Sequence, residues 1–590
     1  MKKLISIFLL LAMLTAIVPL SGITAVAATT ELPTTSWTDS NLYDVSWCTA
    51  GTENGTDSVK IDGSWYKILN YASGTVFEIK DAADLAGLAK LTNGSTNASR
   101  DNTFFANCTF KITAETIDLS AHLWTPIAAN YNTKVFGGHL IGASGENGTG
   151  NVTIQGMTIN YTGSDTGSYS IGLIGVKGGG SVKNLTLEDA YISTMGGYSV
   201  GSFVGRQWGP LSSQNDHTNT KYDEVCTTFY ENLTSDATII RTHTNNNAMN
   251  ATGGIAGSVN SGYHAKVAEF ENCTFTGSIQ TKQNNVGGIV GYSETGGQSN
   301  KGAYIKFTDC VVSAPITVSA ASYVGATTAC GVGGLIGGTK SLIEATTCTV
   351  SSAISAPNNV KVGGMVGGEA GTNQPNSTTD RYMSFTGCEF SGTIDTSSAD
   401  KGLYIGKTSS TLKVTLNNCK VSSAVETAQS MYWLGNVTAT TFDFTGSSSS
   451  VLTRYSSTAT EVPNVTGAND GSVVGSLKVQ KHTDGTKLRV SAQIRGTSYD
   501  TAAFEYFVTY TDANGKQITK INEKEVFVCY RSIVAGERPV EADAGYFFIV
   551  FVIEGFESSM TDISVGLTAK VTNGSTTTYS QTDYITLPNE

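Results

Sequence analysis

The stretch Gly287-Gly288-Ile289-Val290-Gly291 decides the fold, because it is one copy of a short motif that recurs through the middle of the chain. Each copy places two apolar residues between glycines. Clear copies occupy residues 171–175, 201–205, 253–257, 287–291, 333–337 and 363–367, and weaker ones lie at 402–406 and 433–435. The final glycines fall at 175, 205, 257, 291, 337, 367, 406 and 435, so the gaps between them are 30, 52, 34, 46, 30, 39 and 29 residues. A period near 30 with loop-sized excesses is typical of a repeat array.

A second motif recurs along the chain together with the first. Residues 270–279 alternate large apolar side chains with Thr, Ser and Asn, and this period of two predicts a strand. Related segments lie at 307–316, 345–354, 385–394 and 416–425, and each has a cysteine at the position of Cys273. Earlier segments, 182–187 and 230–235, have Leu185 and Leu233 there. A position that accepts either Cys or Leu is predicted to face inward.

These repeats predict a parallel β-helix. A unit of about 30 residues cannot bury its own apolar face, but stacked copies pair strand on strand at a spacing of ~4.8 Å and bury continuous ladders of side chains. The spacing predicts some nine or ten coils. The motif glycines are needed either where the chain turns with positive φ or where no Cβ fits, and the sequence leaves both explanations open.

The composition agrees with a parallel β-helix and excludes several classes of protein. The chain has 590 residues, 65 of them Gly, and 37 basic plus 49 acidic residues give a net charge of −12. It is too rich in apolar and aromatic residues for a disordered protein, lacks the period of collagen, and is too acidic for a protein that binds nucleic acid. An exported, β-rich protein is therefore expected.

Ten cysteines in an exported chain raise the question of a disulfide framework. Coil-to-coil distances would allow bonding, but parallel in-register side chains point the same way, so free, buried thiols are favoured. Whether the ladder is fully reduced stays open. No metal is expected, because the chain has no CxxC pair and no histidine near these positions. The ladder consists of Cys273, Cys310, Cys348, Cys388 and Cys419.

The first 28 residues predict a secretory signal peptide. Lys2 and Lys3 precede an apolar run over 4–20, and the small residues 25–28 offer a cleavage site. A membrane anchor is the alternative, although the run is short for a span and no second hydrophobic segment follows. After signal removal no membrane span is expected. The end of the chain has no hydrophobic tail, which predicts a secreted protein or one held non-covalently at the cell surface.

The repeats resemble those of the bacterial surface proteins with GLUG-type repeats, which are found in Gram-positive bacteria. Residues 286–292 and 362–367 are similar to the core motif of that family, and residues 79–93 are similar to the amphipathic helix that precedes it. The resemblance implies a right-handed parallel β-helix over 75–463, capped by a helix whose apolar residues 82, 85, 88, 89 and 91 form one face. Residues 29–74 form an N-terminal segment. Some family members carry a zinc peptidase module, but no HExxH occurs among the six histidines here.

The chain changes character after a predicted linker at 464–471. Apolar alternation at 477–479, 488–494, 504–510, 526–530, 546–553, 563–571 and 579–587 gives seven candidate strands. Seven strands in about 120 residues predict an immunoglobulin-like antiparallel β-sandwich over 472–590. This part resembles a module found in exported clostridial-type proteins, from which no activity follows.

Catalytic residues are not predicted anywhere in the chain. Residues 197–201 match the nucleophile-elbow pattern, but no helix follows and no His and Asp pair stands behind it. The one concentration of functional residue types lies in the insertion 206–249, which is either a loop packed on the coils or a ligand site with Trp208 stacking on a glycan. The candidate binding residues are Trp208, Asp216, His217, Asp223 and Glu224.

The expected function is adhesin-like or surface-structural, with a glycan or an extracellular host protein as partner and with no cofactor. The alternative is a polysaccharide lyase or glycoside hydrolase, which needs two or three carboxylates within ~5 to 10 Å on one face of the helix. A component of a larger surface array is a third reading, and it predicts self-association. The ligand and the oligomeric state do not follow from the sequence.

Overall fold

The structure is a computed structural model of the full chain. It describes residues 32–49, 58–69, 71–72, 74–94, 103–130, 133–145, 147–163, 169–208, 228–242, 250–260, 266–294, 304–319, 331–369, 381–408, 412–421, 431–437, 439–443, 448–449, 453–456, 473–481, 487–495, 501–511, 517–519, 530–534, 546–554, 561–573 and 576–586. The predicted signal peptide and linker lie outside these ranges, so both stay predictions.

Most of the described chain forms a parallel β-helix of four sheets. Each complete coil passes through sheets 1, 2, 3 and 4 in that order, and every strand pairs in parallel with the equivalent strand one coil away. Among the described residues sheet 4 contains eleven strands and sheets 2 and 3 contain seven each, so the predicted nine or ten coils lie between these two counts.

Sheet 1 is the broadest and has two columns of strands. Three long strands cross both columns: Gly180–Glu188, Thr228–Ser235 and Lys266–Phe275. The first column also contains Val76–Ile79, Thr109–Ile112, His139–Gly142, Tyr304–Thr308, Leu342–Thr346, Tyr382–Thr386, Leu412–Asn417 and Ala439–Asp443. The second column also contains Thr116–Asp118, Val152–Gln155, Val311–Val312, Thr349–Val350, Glu389–Phe390, Lys420–Val421 and Ser448–Ser449.

The other three sheets have shorter strands. Sheet 2 contains Thr158–Tyr161, Tyr191–Thr194, Thr238–Arg241, Ser278–Thr281, Ile316–Val318, Ala353–Ser355 and Thr393–Asp395. Sheet 3 contains Ser170–Ile171, Ser199–Val200, Ala251–Gly253, Asn285–Gly287, Gly331–Gly333, Lys361–Gly363 and Lys401–Gly402. Sheet 4 contains Thr103–Phe104, Val135–Phe136, Ile174–Lys177, Val204–Trp208, Ala256–Asn260, Val290–Glu294, Ile336–Thr339, Val366–Glu369, Ile405–Thr408, Met431–Asn436 and Thr453–Ser456.

The interior consists of side-chain ladders that run along the axis. In sheet 2 the inward position is isoleucine in all seven strands: Ile159, Ile192, Ile239, Ile279, Ile316, Ile354 and Ile394. In sheet 1 the rings of Tyr230 and Phe270 stack with centroids 4.3 Å apart, and Phe270 and Phe307 continue the stack at 5.4 Å. Side-chain volume is constant along the ladder of sheet 2, whereas the ladder of sheet 1 changes from Phe307 to Ala345 and back to Phe385.

The predicted capping helix is confirmed. It spans Ala82–Gly94, and its buried face includes Leu85, Leu88 and Leu91. Asp81 marks its start, because the Asp81 Oδ1 atom accepts a hydrogen bond of 3.0 Å from the Asp84 backbone N–H. The helix therefore covers the apolar interior at the N-terminal end of the coils.

The motif glycines are required by close backbone approach and not by positive φ. Gly253, Gly254 and Gly257 do not have positive φ. A Cβ on Gly254 would lie 2.0 Å from the carbonyl oxygen of Gly288, and one on Gly257 would lie 2.5 Å from the backbone nitrogen of Val200. The second of the two explanations that the sequence left open is thus the correct one for this copy of the motif.

A ladder of left-handed residues, which was not predicted from the sequence, separates the two columns of sheet 1. It stands one residue before the Cys and Leu positions and consists of Asn184, Asn232, Asn272, Asp309, Thr347, Gly387 and Asn418. The Asn232 amide donates to Asn184 at 2.9 Å, and the Asn272 amide donates to Asn232 at 2.8 Å. Asn and Asp tolerate this conformation better than other residues with a side chain, which explains their frequency here.

The cysteine ladder aligns as predicted, with Leu185 and Leu233 continuing it. All five thiols are buried and free. Hydrogen bonding to the neighbouring Cys348 thiol raises the pKa of Cys388 to about 12. Burial likewise holds the pKa of Cys310 well above its usual range.

The C-terminal strands form two antiparallel sheets. One contains Val473–Lys481, Lys487–Arg495 and Tyr546–Glu554. The other contains Thr501–Thr511, Gln517–Thr519, Tyr530–Val534, Thr561–Asn573 and Thr576–Thr586. The strand at 517–519 was not predicted. The candidate strand at 526–530 lies outside the described residues except for Tyr530, where a strand begins.

Two glycines offer a matched test of the close-approach explanation. We expect Gly364→Ala to lower the free energy of unfolding by about 1 to 3 kcal/mol, since its Cβ would lie 2.0 Å from the carbonyl oxygen of Leu403. Gly387→Asn is the control, because Gly387 has a φ of +63°, a Cβ there would lie at an ordinary contact distance of 3.5 Å from Thr347 Cγ2, and other coils have Asn at this position. Urea denaturation measures both. Equal destabilisation by the two changes would contradict the explanation.

The raised thiol pKa values predict a loss of stability at alkaline pH. The pKa of Cys388 is raised from 9.0 to about 12 on folding, so its contribution is complete below pH 9 and is lost as the pH rises toward 12. The loss approaches about 1.4 kcal/mol per pH unit for one thiol. Cys388→Ala should remove that part of the slope in urea unfolding under reducing conditions, whereas Thr349→Ala should retain it. An unchanged slope in Cys388→Ala would refute the prediction.

Candidate functional site

Trp208 lies on the outer side of sheet 4 and is 9% exposed. Its ring packs with Val135 and Val176 in a small apolar cluster outside the main core. The guanidinium carbon of Arg206 lies 4.2 Å from the Trp208 ring centroid and 4.4 Å from that of Tyr198. Arg206 is therefore held between two aromatic rings by cation–π contacts.

Charged and polar groups continue this cluster along the axis. Asn260 is in register with Trp208, and Glu294 is in register with Asn260. The Asn260 amide donates to the Glu294 carboxylate at 3.2 Å, and Lys340 Nζ lies 3.6 Å from that carboxylate. Burial raises the pKa of Glu294, while the charges of Lys340 and Arg206 oppose the rise.

Arg241 lies toward the C-terminal end of the predicted insertion. Its side chain is also buried and donates hydrogen bonds to backbone carbonyl groups. Its guanidinium donates to the carbonyl oxygens of Gly197 at 2.6 Å and Ala251 at 3.1 Å. Burial lowers its pKa to about 9. These contacts join neighbouring coils at the corner between sheets 2 and 3.

The other four candidate binding residues, Asp216, His217, Asp223 and Glu224, lie outside the described residues, so their role stays a prediction. Trp208 lies where its ring already has protein partners. In this arrangement the described part of the insertion supports packing on the coils more directly than an open stacking surface for a ligand.

A second candidate site, which the sequence analysis missed, is a groove on the outer face of sheet 1. Its volume is about 330 Å³, within the lower part of the range for ligand sites. Three consecutive strands supply its lining, at aligned outward positions except for the buried Ala345. The lining residues are Glu344, Ala345, Thr346, Tyr382, Ser384, Lys413 and Thr415.

Register brings these side chains together. Glu344 pairs with Ser384, and Ser384 pairs with Thr415, while Tyr382 pairs with Lys413. The intervening residues of each strand point into the core, as the buried Met383 and Val414 illustrate. The alternation of the strand thus separates the groove face from the apolar ladder.

The groove presents one acid, one base and an aromatic ring. The Tyr382 hydroxyl donates a hydrogen bond to the Glu344 carboxylate. Burial, and next this hydrogen bond, raise the pKa of Tyr382, so the phenol stays protonated at neutral pH. Lys413 is exposed. This set of groups can donate and accept hydrogen bonds and pack against the apolar face of a ring, but it offers a single carboxylate.

The described ranges contain neither a group of metal-ligating side chains nor a membrane-spanning helix. No group of three or more His, Cys, Asp or Glu side chains there is arranged to hold a metal ion. No helix in those ranges is both long and apolar enough to span a membrane.

The comparisons with known proteins do not show a family for this chain. No family model matches the chain, and no curated protein does. Among solved structures, the enzymatically active domain of tailspike protein 4 from bacteriophage CBA120 shares 10% identity, with 92% of this chain and 72% of that chain covered and a TM-score of 0.23. The overlay is too loose to support an argument. The sheets themselves place the chain among the parallel β-helix proteins.

The substitution Trp208→Ala distinguishes a role of Trp208 in packing from a role in binding glycan. We expect it to lower the free energy of unfolding by about 3 to 5 kcal/mol, as for other buried tryptophans, and to leave glycan binding by the folded protein unchanged. The control is Trp65→Ala, in the hairpin strand Ser64–Lys67, where the ring is half-buried. Urea denaturation and a glycan-binding assay measure the two effects. Loss of binding at unchanged stability would instead favour a ligand site at Trp208.

Proposed function

We propose that this chain is an exported β-helical protein with an adhesin-like role, and that it binds glycan in the groove on sheet 1. The observation that carries the proposal is the groove itself. A tyrosine ring, an exposed lysine and a carboxylate stand there beside the hydroxyls of Thr346, Ser384 and Thr415. Sugars combine hydroxyl groups with an apolar ring face, and these side chains complement both.

The rigid sheet beneath the groove supports binding. The backbones of the three lining strands are fixed by parallel pairing on both sides. The inward residues between the lining positions belong to the buried core. A ligand therefore meets side chains whose backbones are already ordered, which reduces the entropy lost on binding.

Binding is favoured over cleavage by the chemistry of the lining. Glycoside hydrolases use two carboxylates that flank the scissile bond. Among the residues that line the groove, Glu344 alone has a carboxylate, and it accepts the hydrogen bond from Tyr382. A general base should titrate near the working pH, whereas the pKa of Tyr382 is shifted upward.

The proposal also covers the handedness of the coils, the type of repeat, the fold of the C-terminal sheets and the location of the protein. The coils are right-handed, as nearly all parallel crossover connections are. The repeats are of the GLUG type found in Gram-positive surface proteins, and the two C-terminal sheets form an immunoglobulin-like sandwich. After signal cleavage the protein is secreted or held non-covalently at the cell surface, where extracellular glycan is available.

Substitutions in the groove test this function. Incubation of the mature chain with plant, mucin and bacterial wall polysaccharides should show retention without release of reducing ends. Tyr382→Ala and Lys413→Gln should each weaken retention about tenfold, equivalent to about 1.4 kcal/mol. Tyr191→Ala, on sheet 2, is a matched half-buried tyrosine and should leave retention unchanged.

Two results would overturn the proposal. Absence of retention on every polysaccharide by the folded wild-type chain would remove glycan binding. Release of reducing ends that Glu344→Gln abolishes would replace binding with the enzymatic alternative.

A further inference from the structure

We infer that the groove is one part of a longer track and that its ligand is a linear polysaccharide lying along the axis of the β-helix, across the strands. This inference rests on the proposed glycan binding. It adds the form of the ligand, an extended polymer and not a terminal sugar or a small molecule, and the direction in which it lies.

The register of sheet 1 aligns outward-facing residues of neighbouring coils. Two outward positions recur on four consecutive strands and form two parallel columns. The first column is Lys306, Glu344, Ser384 and Thr415, and the second is Thr308, Thr346, Thr386 and Asn417. The groove uses three of these coils, and Lys306 and Thr308 continue both columns by one coil beyond it. At ~4.8 Å per coil, the four pairs span roughly 14 Å along the axis.

The side chains of the track are available to a ligand. The hydroxyls of Thr308, Thr386 and Thr415 have no hydrogen-bond partner among the residues that the structure describes, and all three are partly exposed. Lys306 and Lys413 likewise have no ion-pair partner within the described residues. These three hydroxyls and two ammonium groups can exchange water for ligand hydroxyls without breaking a contact to another described residue.

The repetition of these outward positions from coil to coil favours a polymer as the ligand. The rise per sugar of an extended chain is close to the ~4.8 Å spacing between coils, so successive sugars lie over successive pairs of outward positions. A compact ligand would use one or two coils and gain nothing from the others. The groove is open to solvent and runs across the strands, as a chain lying along the axis requires.

The track contains one aromatic contact, which fixes where a sugar ring sits. Tyr382 is the residue of the lining with a ring, and its hydroxyl is held by Glu344. The face of a sugar that packs on this ring determines the position of the neighbouring sugars. Those neighbours lie over Thr346 on one side and over Lys413 and Thr415 on the other.

The test is the dependence of affinity on oligosaccharide length. Disaccharides, tetrasaccharides and hexasaccharides of cellulose, xylan, chitin and polygalacturonate are titrated into the full chain by calorimetry. For the polymer that is retained, we expect affinity to rise from disaccharide to hexasaccharide. Lys306→Met with Thr308→Val should lower hexasaccharide affinity roughly tenfold and leave disaccharide affinity unchanged, because a disaccharide does not reach that coil.

The matched control is Thr234→Val, an outward threonine in the second column of strands of sheet 1. It should change neither affinity, and unchanged urea midpoints confirm that both variants fold. Equal affinity at every length, or a double variant that weakens the disaccharide as much as the hexasaccharide, would overturn the track while leaving glycan binding intact. Absence of binding at every length would overturn the proposed function itself, and the track with it.

Discussion

The structure depends on one steric constraint, the approach of backbone to backbone at the glycine corner between sheets 3 and 4. There the chain turns so tightly that a Cβ on Gly253 would lie 2.0 Å from the carbonyl oxygen of Ala256. Parallel hydrogen bonding continues around the corner, as the 3.0 Å bond from the Gly254 N–H to the Gly287 carbonyl shows. Each coil therefore returns to the same position above the last, and every ladder of the interior follows from that repetition.

The interior and the outer face obey the same register but tolerate different variation. Inward positions share one packed core, so they stay apolar: sheet 2 keeps isoleucine, and the position of Cys273 accepts either Cys or Leu. Outward positions meet solvent, so their chemistry can change from coil to coil at little cost in stability. Function can thus be placed on a rigid face without any change to the fold.

The sequence predicted the ladders because they are periodic. The aligned position of Cys273 and Leu233 followed from spacing and apolar pattern, whereas the helix was expected over 79–93 from the family resemblance and spans Ala82–Gly94. The groove could not be predicted in this way. Glu344, Tyr382 and Lys413 come from three strands separated by loops of unequal length, and their proximity depends on a register that is visible only once the strands are paired.

Trp208 is a second case in which the sequence did not predict the environment of a residue. The sequence identified an unusual residue in an unusual insertion, which was correct as an observation about composition. The fold then placed Arg206 against its ring and Asn260 beside it in register, two neighbours that are not predictable from local sequence. A tryptophan that binds ligand must keep a face free of protein, whereas cation–π stacking uses that face for stability. On a solenoid, the better indication of a binding surface is therefore a run of outward polar side chains whose hydrogen-bonding groups the protein leaves unused.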